Sequence, residues 1–241
     1  VMDEEKPITL NWNWVTEPPT LDPSLTTDTT SVDGTQNLFV GLTAIDPVTS
    51  EVIPYLATDW AAGEDEEGNQ TWTFNLRDDI AWVKYDPNTG ETTQEVDEEG
   101  NPRFVKPSDV EYGVKRTINP DTGSQYAYVL YIIKNAQEVN EGSEELTLDD
   151  VGVTSDDEAG TVTFTLATPA PFFPSIASMW VTYPMPQWAI DEWENKWIEA
   201  GLISTNGPYV LEEWIHGGSL NFVKNPLWIN ADDVQIERVE G

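Results

Sequence analysis

Alternation of apolar and polar positions marks several strands along the chain. The alternation has a period of two in residues 8–15 (ITLNWNWV), 70–77 (QTWTFNLR) and 160–171 (GTVTFTLATPAP). Because successive side chains of a strand point to opposite faces, this period is typical of half-buried β-strands. Two further runs, GPYVLEEW and SLNFVKNP, are separated by a short segment that contains two glycines, so residues 207–226 are predicted to form a β-hairpin.

Helical periodicity is clearest in residues 107–118 (PSDVEYGVKRTI). Val110, Val114 and Ile118 fall four positions apart and would share one face of a helix. Ser108, followed three residues later by Glu111, has the spacing of a capping box, which predicts that the helix begins at this serine.

Two other segments are predicted to be helical. Residues 186–201 place three apolar side chains on one face and end at Gly201; these side chains are Ile190, Trp193 and Trp197. Residues 125–139 (QYAYVLYIIKNAQEV) are apolar at most early positions, which predicts a well-buried helix. Strands and helices that mix without regular βαβ alternation indicate an α/β fold of the mixed α+β kind.

The charge balance excludes one class of function. The 241 residues include 44 acidic and only 11 basic ones, for a net charge of −33, and such a surface repels nucleic acid and anionic membranes. We therefore expect no nucleic-acid partner, and a salty habitat would screen the self-repulsion. There is no cysteine, which excludes disulfides and thiolate sites, and no apolar run long enough to span a bilayer.

The sequence offers little that points to catalysis. His216 is the only histidine and lies beside two glycines, so we expect an exposed loop residue rather than a catalytic or zinc-binding one. Residues 86–97 alternate oxygen-bearing side chains, but their glycine falls one place early for an EF-hand and no glutamate closes the loop. With so many acids, no carboxylate pair stands out as that of a glycosidase. We expect no catalytic residue, metal or cofactor, and we interpret residues 85–102 as a surface excursion.

Seven motifs occur in an order that resembles a known family. They are TLDP, LFVGLTAIDP, VIPYLATDW with TWTFNLR, KPSDVEYGVKR with NPDTGSQYAYVLY, GTVTFTLATPAPFF, STNGPYVLEEW and VKNPLW, and they spread over residues 20–228. Each alone is weak, but together and in this order they resemble the peptide-binding (oligopeptide and dipeptide) family of solute-binding proteins of ABC transporters. The chain departs from the family pattern in three ways. An acidic loop replaces the usual Phe-x-Asp-Gly-Thr segment before the 107–118 helix, Asn206 alters the Gly-Thr-Gly-Pro-Tyr motif, and the chain has about half the family's length.

The resemblance implies a fold and a division of the chain. Members have two lobes of the periplasmic-binding-protein type II kind, and this chain is expected to be lobe I alone, a mixed β-sheet with flanking helices and a smaller inserted subdomain. Residues 1–37 would form the first part of lobe I, residues 38–165 the inserted subdomain, and residues 166–241 the return to lobe I. Residues 234–241 (VQIERVEG) resemble the strand that crosses toward the second lobe.

The resemblance also implies a function and a set of ligand-binding residues. Such proteins close two lobes over an oligopeptide outside the cytoplasm, some of them lipid-anchored, and deliver it to the permease subunits in the membrane. The segment after Leu-Asp-Pro would offer backbone groups to an extended peptide, which here means Thr27, Asp28 and Thr29. Tyr126 would line the same cleft, and Asn206 and Gly207 would lie near the lobe boundary. The protein is expected to act as a monomer without enzymatic activity.

Several alternatives stay open at this point. Thr27–Thr29 could be a plain polar loop, and Tyr126 could be a core residue. Oligosaccharide, nickel and haem binders share the scaffold, and the single histidine disfavours nickel. The eleven tryptophans leave an oligosaccharide ligand open, because the sequence does not show whether Trp12, Trp14 and Trp180 face the core or the cleft. A carbohydrate-active enzyme would need a converging carboxylate pair. A structural adhesive domain would be a β-sandwich without the predicted helices.

Overall fold

The computed structural model of the chain describes residues 7–241 and contains two four-stranded sheets, two small hairpins and five short helices within that range. The helices are α1 (Thr29–Leu38), α2 (Pro107–Ile118), α3 (Ala136–Asn140), α4 (Phe173–Ile176) and α5 (Gln187–Trp193). The strands are β1 (Thr9–Asn11), β2 (Thr43–Ile45), β3 (Val52–Pro54), β4 (Ala57–Glu64), β5 (Gln70–Leu76), β6 (Val83–Asp86), β7 (Glu91–Gln94), β8 (Val153–Asp156), β9 (Thr161–Thr165), β10 (Tyr209–Ile215), β11 (Ser219–Lys224) and β12 (Arg238–Glu240).

The first sheet joins the two ends of the chain. Its strand order is β1-β12-β11-β10. Strand β1 runs parallel to β12, with Leu10 opposite Val239, and β12 runs antiparallel to β11, with Phe222 also opposite Val239. Strands β10 and β11 form the hairpin that the sequence predicts, and residues 234–241 supply the strand β12 that completes the sheet.

The second sheet comes entirely from the middle of the chain. Its order is β4-β5-β9-β8, and every neighbouring pair is antiparallel. Phe74 on β5 and Phe164 on β9 are fully buried and meet edge to face with ring centroids 5.8 Å apart. Helix α2 packs against strands β8 and β9 of this sheet. As predicted, its buried face carries Val110, Val114 and Ile118, whose exposed fraction is 0%.

The start of α2 differs from the prediction. The helix begins at Pro107, after the cap residue Lys106, whose backbone N–H donates to Asp109 Oδ2 at 3.0 Å. Ser108 instead donates both its backbone N–H and its hydroxyl to Asp157. Proline fits the first helical position because its missing N–H would have no partner there, so the cap falls two residues before the predicted serine.

Two predicted helices are interrupted. Residues 125–139 form a 3₁₀ turn at Ala127–Ile132 and then the five-residue α3, because Asn135 adopts a positive φ of 64° between them. In residues 186–201, α5 ends at Trp193, since Glu194 has a φ of 50°. The prediction of one inward face was therefore wrong for Trp193, which is 39% exposed, whereas Trp197 is buried.

The predicted surface excursion is a hairpin of β6 and β7. Its base is hydrogen-bonded to the segment that precedes β10 of the first sheet, because Val83 and Thr205 exchange both backbone hydrogen bonds at 2.8 Å. The loop residues themselves are largely exposed. Among residues 7–241 the structure has no helix with the length and apolar character that a bilayer crossing requires.

Candidate ligand-binding site

A buried ion pair fixes the segment that precedes the candidate ligand loop. Arg116 on α2 donates from Nη1 and Nη2 to the two carboxylate oxygens of Asp22 at 2.8 and 2.7 Å. Asp22 is only 2% exposed, and it also accepts from the backbone N–H of Ser24 at 2.9 Å and from Trp197 Nε1 at 3.2 Å. The two-pronged geometry of arginine suits a carboxylate, so this pair joins the Leu-Asp-Pro motif to α2.

Hydroxyl groups extend this anchor along the loop. Thr117 Oγ1 donates to Ser24 Oγ at 3.0 Å, and Thr26 Oγ1 donates to the carbonyl of Asp22 at 2.9 Å. Ser24 and Thr26 are both buried. The threonine-rich composition of this stretch thus serves local bonding first, and it holds the chain in place just before residues 27–29.

Thr27, Asp28 and Thr29 follow this anchor at the surface. Asp28 caps α1, because its Oδ1 accepts from the backbone N–H of Ser31 at 3.0 Å. Its Oδ2 has no hydrogen-bond partner among residues 7–241. Thr27 is half-buried and Thr29 is exposed, and within residues 7–241 the backbone N–H and C=O of Thr27 make no hydrogen bond. A fixed loop with free backbone groups can take up an extended chain.

A cluster of three aromatic side chains reaches this loop through Trp180, and we name Tyr126, Tyr128 and Trp180 the aromatic wall. The ring of Tyr126 lies 5.5 Å from that of Trp180 and 5.6 Å from that of Tyr128, centroid to centroid. Trp180 Nε1 donates to the carbonyl of Thr26 at 3.1 Å. The structure therefore connects Tyr126 to the Thr27–Thr29 loop through Trp180, a residue whose facing the sequence left open.

Asn206 and Gly207 occupy a different place, at the far end of α1. Both backbone N–H groups donate to the carbonyl of Leu38, at 3.2 and 2.9 Å, and Asn206 Oδ1 accepts from the backbone N–H of Val40 at 3.1 Å. A Cβ on Gly207 would lie 2.7 Å from the Leu38 carbonyl, so only glycine fits there. Asn206 is fully buried, and these hydrogen bonds of both residues go to the end of α1 and the segment just after it. The ten residues of α1 separate them from Thr29 by about 15 Å.

A comparison with protein families decides what these features belong to. Residues 51–240 match the model of the bacterial extracellular solute-binding proteins, family 5 Middle. The chain belongs to this family. The family resemblance drawn from the motifs is confirmed, as is the mixed α/β fold of its substrate-binding domains.

Individual family members agree with this assignment. The chain is 31% identical to the oligopeptide-binding protein OppA of Bacillus subtilis over 99% of its own length, and 31% identical to the periplasmic oligopeptide-binding protein OppA of Escherichia coli over 94%. The substrate-binding domain of an oligopeptide ABC transporter from Bacillus anthracis superposes with a TM-score of 0.80 at 26% identity and covers 98% of the chain. The chain spans about two fifths of the length of these relatives, namely 39%, 38% and 42%.

The histidine of this family-5 chain belongs to a surface cluster with two carboxylates. His216 is exposed and lies between two carboxylates, with Nδ1 2.7 Å from Glu17 and Nε2 3.2 Å from Glu199. Its hydrogen bond to Glu17 is the main cause of a raised histidine pKa. Among the residues that the structure describes, no three His, Asp or Glu side chains converge as metal ligands. The relatives named above are two oligopeptide-binding proteins and the substrate-binding domain of an oligopeptide ABC transporter.

Proposed function

We propose that this chain is lobe I of the solute-binding component of an ABC importer, and that it captures oligopeptides in a cleft between two lobes. The observation that carries the proposal is the family membership of residues 51–240, together with relatives named for oligopeptide binding. The protein would act outside the cytoplasm as a monomer, hand its ligand to permease subunits in the membrane and catalyse no reaction.

The ligand would bind along the loop at Thr27, Asp28 and Thr29. The unpaired backbone groups of Thr27 are the supporting feature, because main-chain hydrogen bonds accept peptides of any sequence. The Asp22–Arg116 ion pair would keep the loop in place, so that little ordering entropy is lost when the peptide binds. Tyr126 would contact the ligand's side chains as part of the aromatic wall.

Asn206 and Gly207 would contribute by position rather than by direct contact. Their bonds to Leu38 and Val40 hold the end of α1, and α1 begins at the ligand loop. A shift of this end would move the whole helix, since packed helices move as rigid elements. We therefore place both residues among the supports of the site.

The division of the chain into three segments is also proposed. Residues 1–37 and 166–241 would form the body of lobe I, and residues 38–165 its inserted subdomain. The origin of the sheets supports this division, since the first sheet takes its strands from both ends of the chain and the second takes all four of its strands from residues 57–165. Strand β9 lies at the border between the subdomain and the returning segment.

A calorimetric titration of the full-length gene product tests this function. Trialanine, which offers little beyond its backbone and termini, should bind saturably, and an oligosaccharide such as maltotriose should not. Thr27→Pro removes one backbone N–H and should weaken peptide binding about two- to tenfold, in line with one lost hydrogen bond, whereas Thr27→Ala should not.

The two parts of the proposal can fail separately. Binding of the sugar without any peptide would move the function to carbohydrate uptake, an alternative that has no support among the relatives named above. Peptide binding that is unchanged in both Thr27→Pro and Tyr126→Ala would keep the function but remove the site from this loop.

A further inference from the structure

A cavity lies at the opposite end of α2 from the ligand loop. Its volume is about 350 Å³, and its lining includes Arg103, Lys106, Asp109 and Trp188. Lys106 precedes α2, whereas Arg116, which holds the ligand loop, lies in its last turn, so nine helical steps or about 14 Å separate the two places. The cavity is therefore distinct from the proposed peptide site.

One wall of the cavity is an arginine that lies over a tryptophan ring. The guanidinium carbon of Arg103 lies 4.3 Å from the ring centre of Trp188, and Arg103 Nε donates to the carbonyl of Val96 at 3.1 Å. Trp188 is supported from behind by the buried ring of Trp82, edge to face at 5.5 Å. These contacts fix the guanidinium plane while its two terminal nitrogens make no hydrogen bond within the described residues.

Four of the ten Lys and Arg side chains in residues 7–241 form no ion pair within that range. Acids outnumber bases by 44 to 11, and among residues 7–241 six Lys and Arg side chains form ion pairs. The four that do not are Arg103, Lys106, Lys196 and Lys224. Two of these four, Arg103 and Lys106, line the same cavity. Two cations without a carboxylate partner that line one cavity are available to an anion from outside.

The carboxylates of the cavity are mostly committed to other groups. Asp97 accepts from the backbone N–H groups of Glu99 and Asn101 and from the Asn101 side chain, so its own turn uses both oxygens. Asp109 accepts from Trp82 Nε1 at 2.9 Å and from the backbone N–H of Lys106, and burial raises its pKa to about 6. Asp191, at the rim, is exposed. None of the three lies within ion-pair distance of Arg103 or Lys106.

We propose that this cavity binds a small carboxylate-bearing molecule, whose carboxylate is held by Arg103 and Lys106 and whose carbon skeleton lies near Trp188. A planar guanidinium matches a carboxylate with two parallel hydrogen bonds. The three aspartates disfavour a doubly charged anion such as phosphate, and the volume is at the small end of ligand sites. The amides at the start of α2 play no part, because Ser108 N–H is already bonded to Asp157.

The cavity also gives the acidic excursion of residues 85–102 a role. Strand β7 and the turn after it return the chain to the body at Arg103, whose backbone N–H donates to Glu95 and whose carbonyl accepts from Trp82. By this inference, the excursion helps to build a small-molecule site between the inserted subdomain and the segment that carries Trp188.

Proton–nitrogen NMR of the tryptophan indoles tests the proposal in the full-length gene product. The Trp188 signal is assigned by its loss in Trp188→Phe. Sodium acetate, added at constant ionic strength against sodium chloride, should move this signal saturably with a Kd of about 1 mM or tighter. Arg103→Gln and Lys106→Gln should each weaken binding at least about tenfold, as expected for a lost charge-assisted bond.

Lys196→Gln is the matched control, because Lys196 is also unpaired but lies outside the cavity, and it should bind acetate like the unchanged protein. If Arg103→Gln fails to fold, Lys106→Gln carries the test, since the Lys106 side chain is exposed. A signal that does not saturate, that chloride moves equally, or that responds alike in the Lys106 variant would overturn the proposal.

Discussion

Replacement of Arg116 by methionine tests whether the ion pair with Asp22 stabilises the fold. Methionine keeps the unbranched shape and the volume but leaves the Asp22 carboxylate, 2% exposed, without its two charged bonds. Two donors remain, the Ser24 N–H and Trp197 Nε1. Loss of one partner from a buried pair costs about 3–5 kcal/mol, and because two bonds persist we expect the lower end, about 3 kcal/mol.

That change is large against a total stability of about 5–15 kcal/mol. Guanidinium chloride denaturation of Arg116→Met, followed by tryptophan fluorescence, should show a lower midpoint with an unchanged slope. The double variant Arg116→Met with Asp22→Asn removes the unpaired charge and should recover part of the loss.

Arg77→Met provides the control, since the Arg77–Asp79 pair lies at the surface with side chains 31% and 55% exposed. It should cost less than about 1 kcal/mol. If Arg116→Met costs no more than Arg77→Met, the pair does not anchor the ligand loop and the argument for a fixed loop fails.

Three further predictions concern stability. Gly207→Ala should destabilise the protein by about 1–3 kcal/mol in thermal denaturation, because the new Cβ meets the Leu38 carbonyl at 2.7 Å; an unchanged melting temperature would contradict this packing. The pKa of His216 is raised in the folded protein, chiefly by its hydrogen bond to Glu17, so protonated His216 stabilises the fold. This stabilisation is fully present below pH 6.5 and is lost as the pH rises through the folded-state pKa. The difference in unfolding free energy between the unchanged protein and His216→Gln should therefore shrink on going from pH 6 to higher pH. Because the net charge is −33, added sodium chloride should raise the melting temperature, and a melting temperature independent of salt would show that self-repulsion is not a significant term.

Local patterns predicted the parts of the fold in which each segment's own periodicity sets its structure. The 207–226 hairpin and the buried face of α2 are examples, and the structure confirms both. The interruptions at Asn135 and Glu194 were not predictable in this way. Both residues adopt a positive φ, which is uncommon for residues other than glycine.

In the candidate site, too, the sequence indicated some residues and only the folded structure showed the others. The motifs and the family resemblance pointed to Thr27–Thr29 and Tyr126, but no local signal indicated that Trp180 joins them, since its hydrogen bond to Thr26 links residues far apart in sequence. The unpaired state of Arg103 and Lys106 is likewise a property of the folded surface. Composition gives the number of cations, and only the structure shows which of them have partners.

The pairing of β1 with β12 has a consequence for the order of folding. Leu10 and Val239 meet across almost the whole length of the chain, so closing this pair carries a larger loop-closure entropy than any pairing within the second sheet. During synthesis, the sheet β4-β5-β9-β8 can form as soon as residue 165 has emerged, whereas β1 must wait for β12. Until then β11 has only β10 as a neighbour and β1 has no neighbour. Electrostatic repulsion from the net charge of −33 would keep these unpaired strand edges from pairing with other chains.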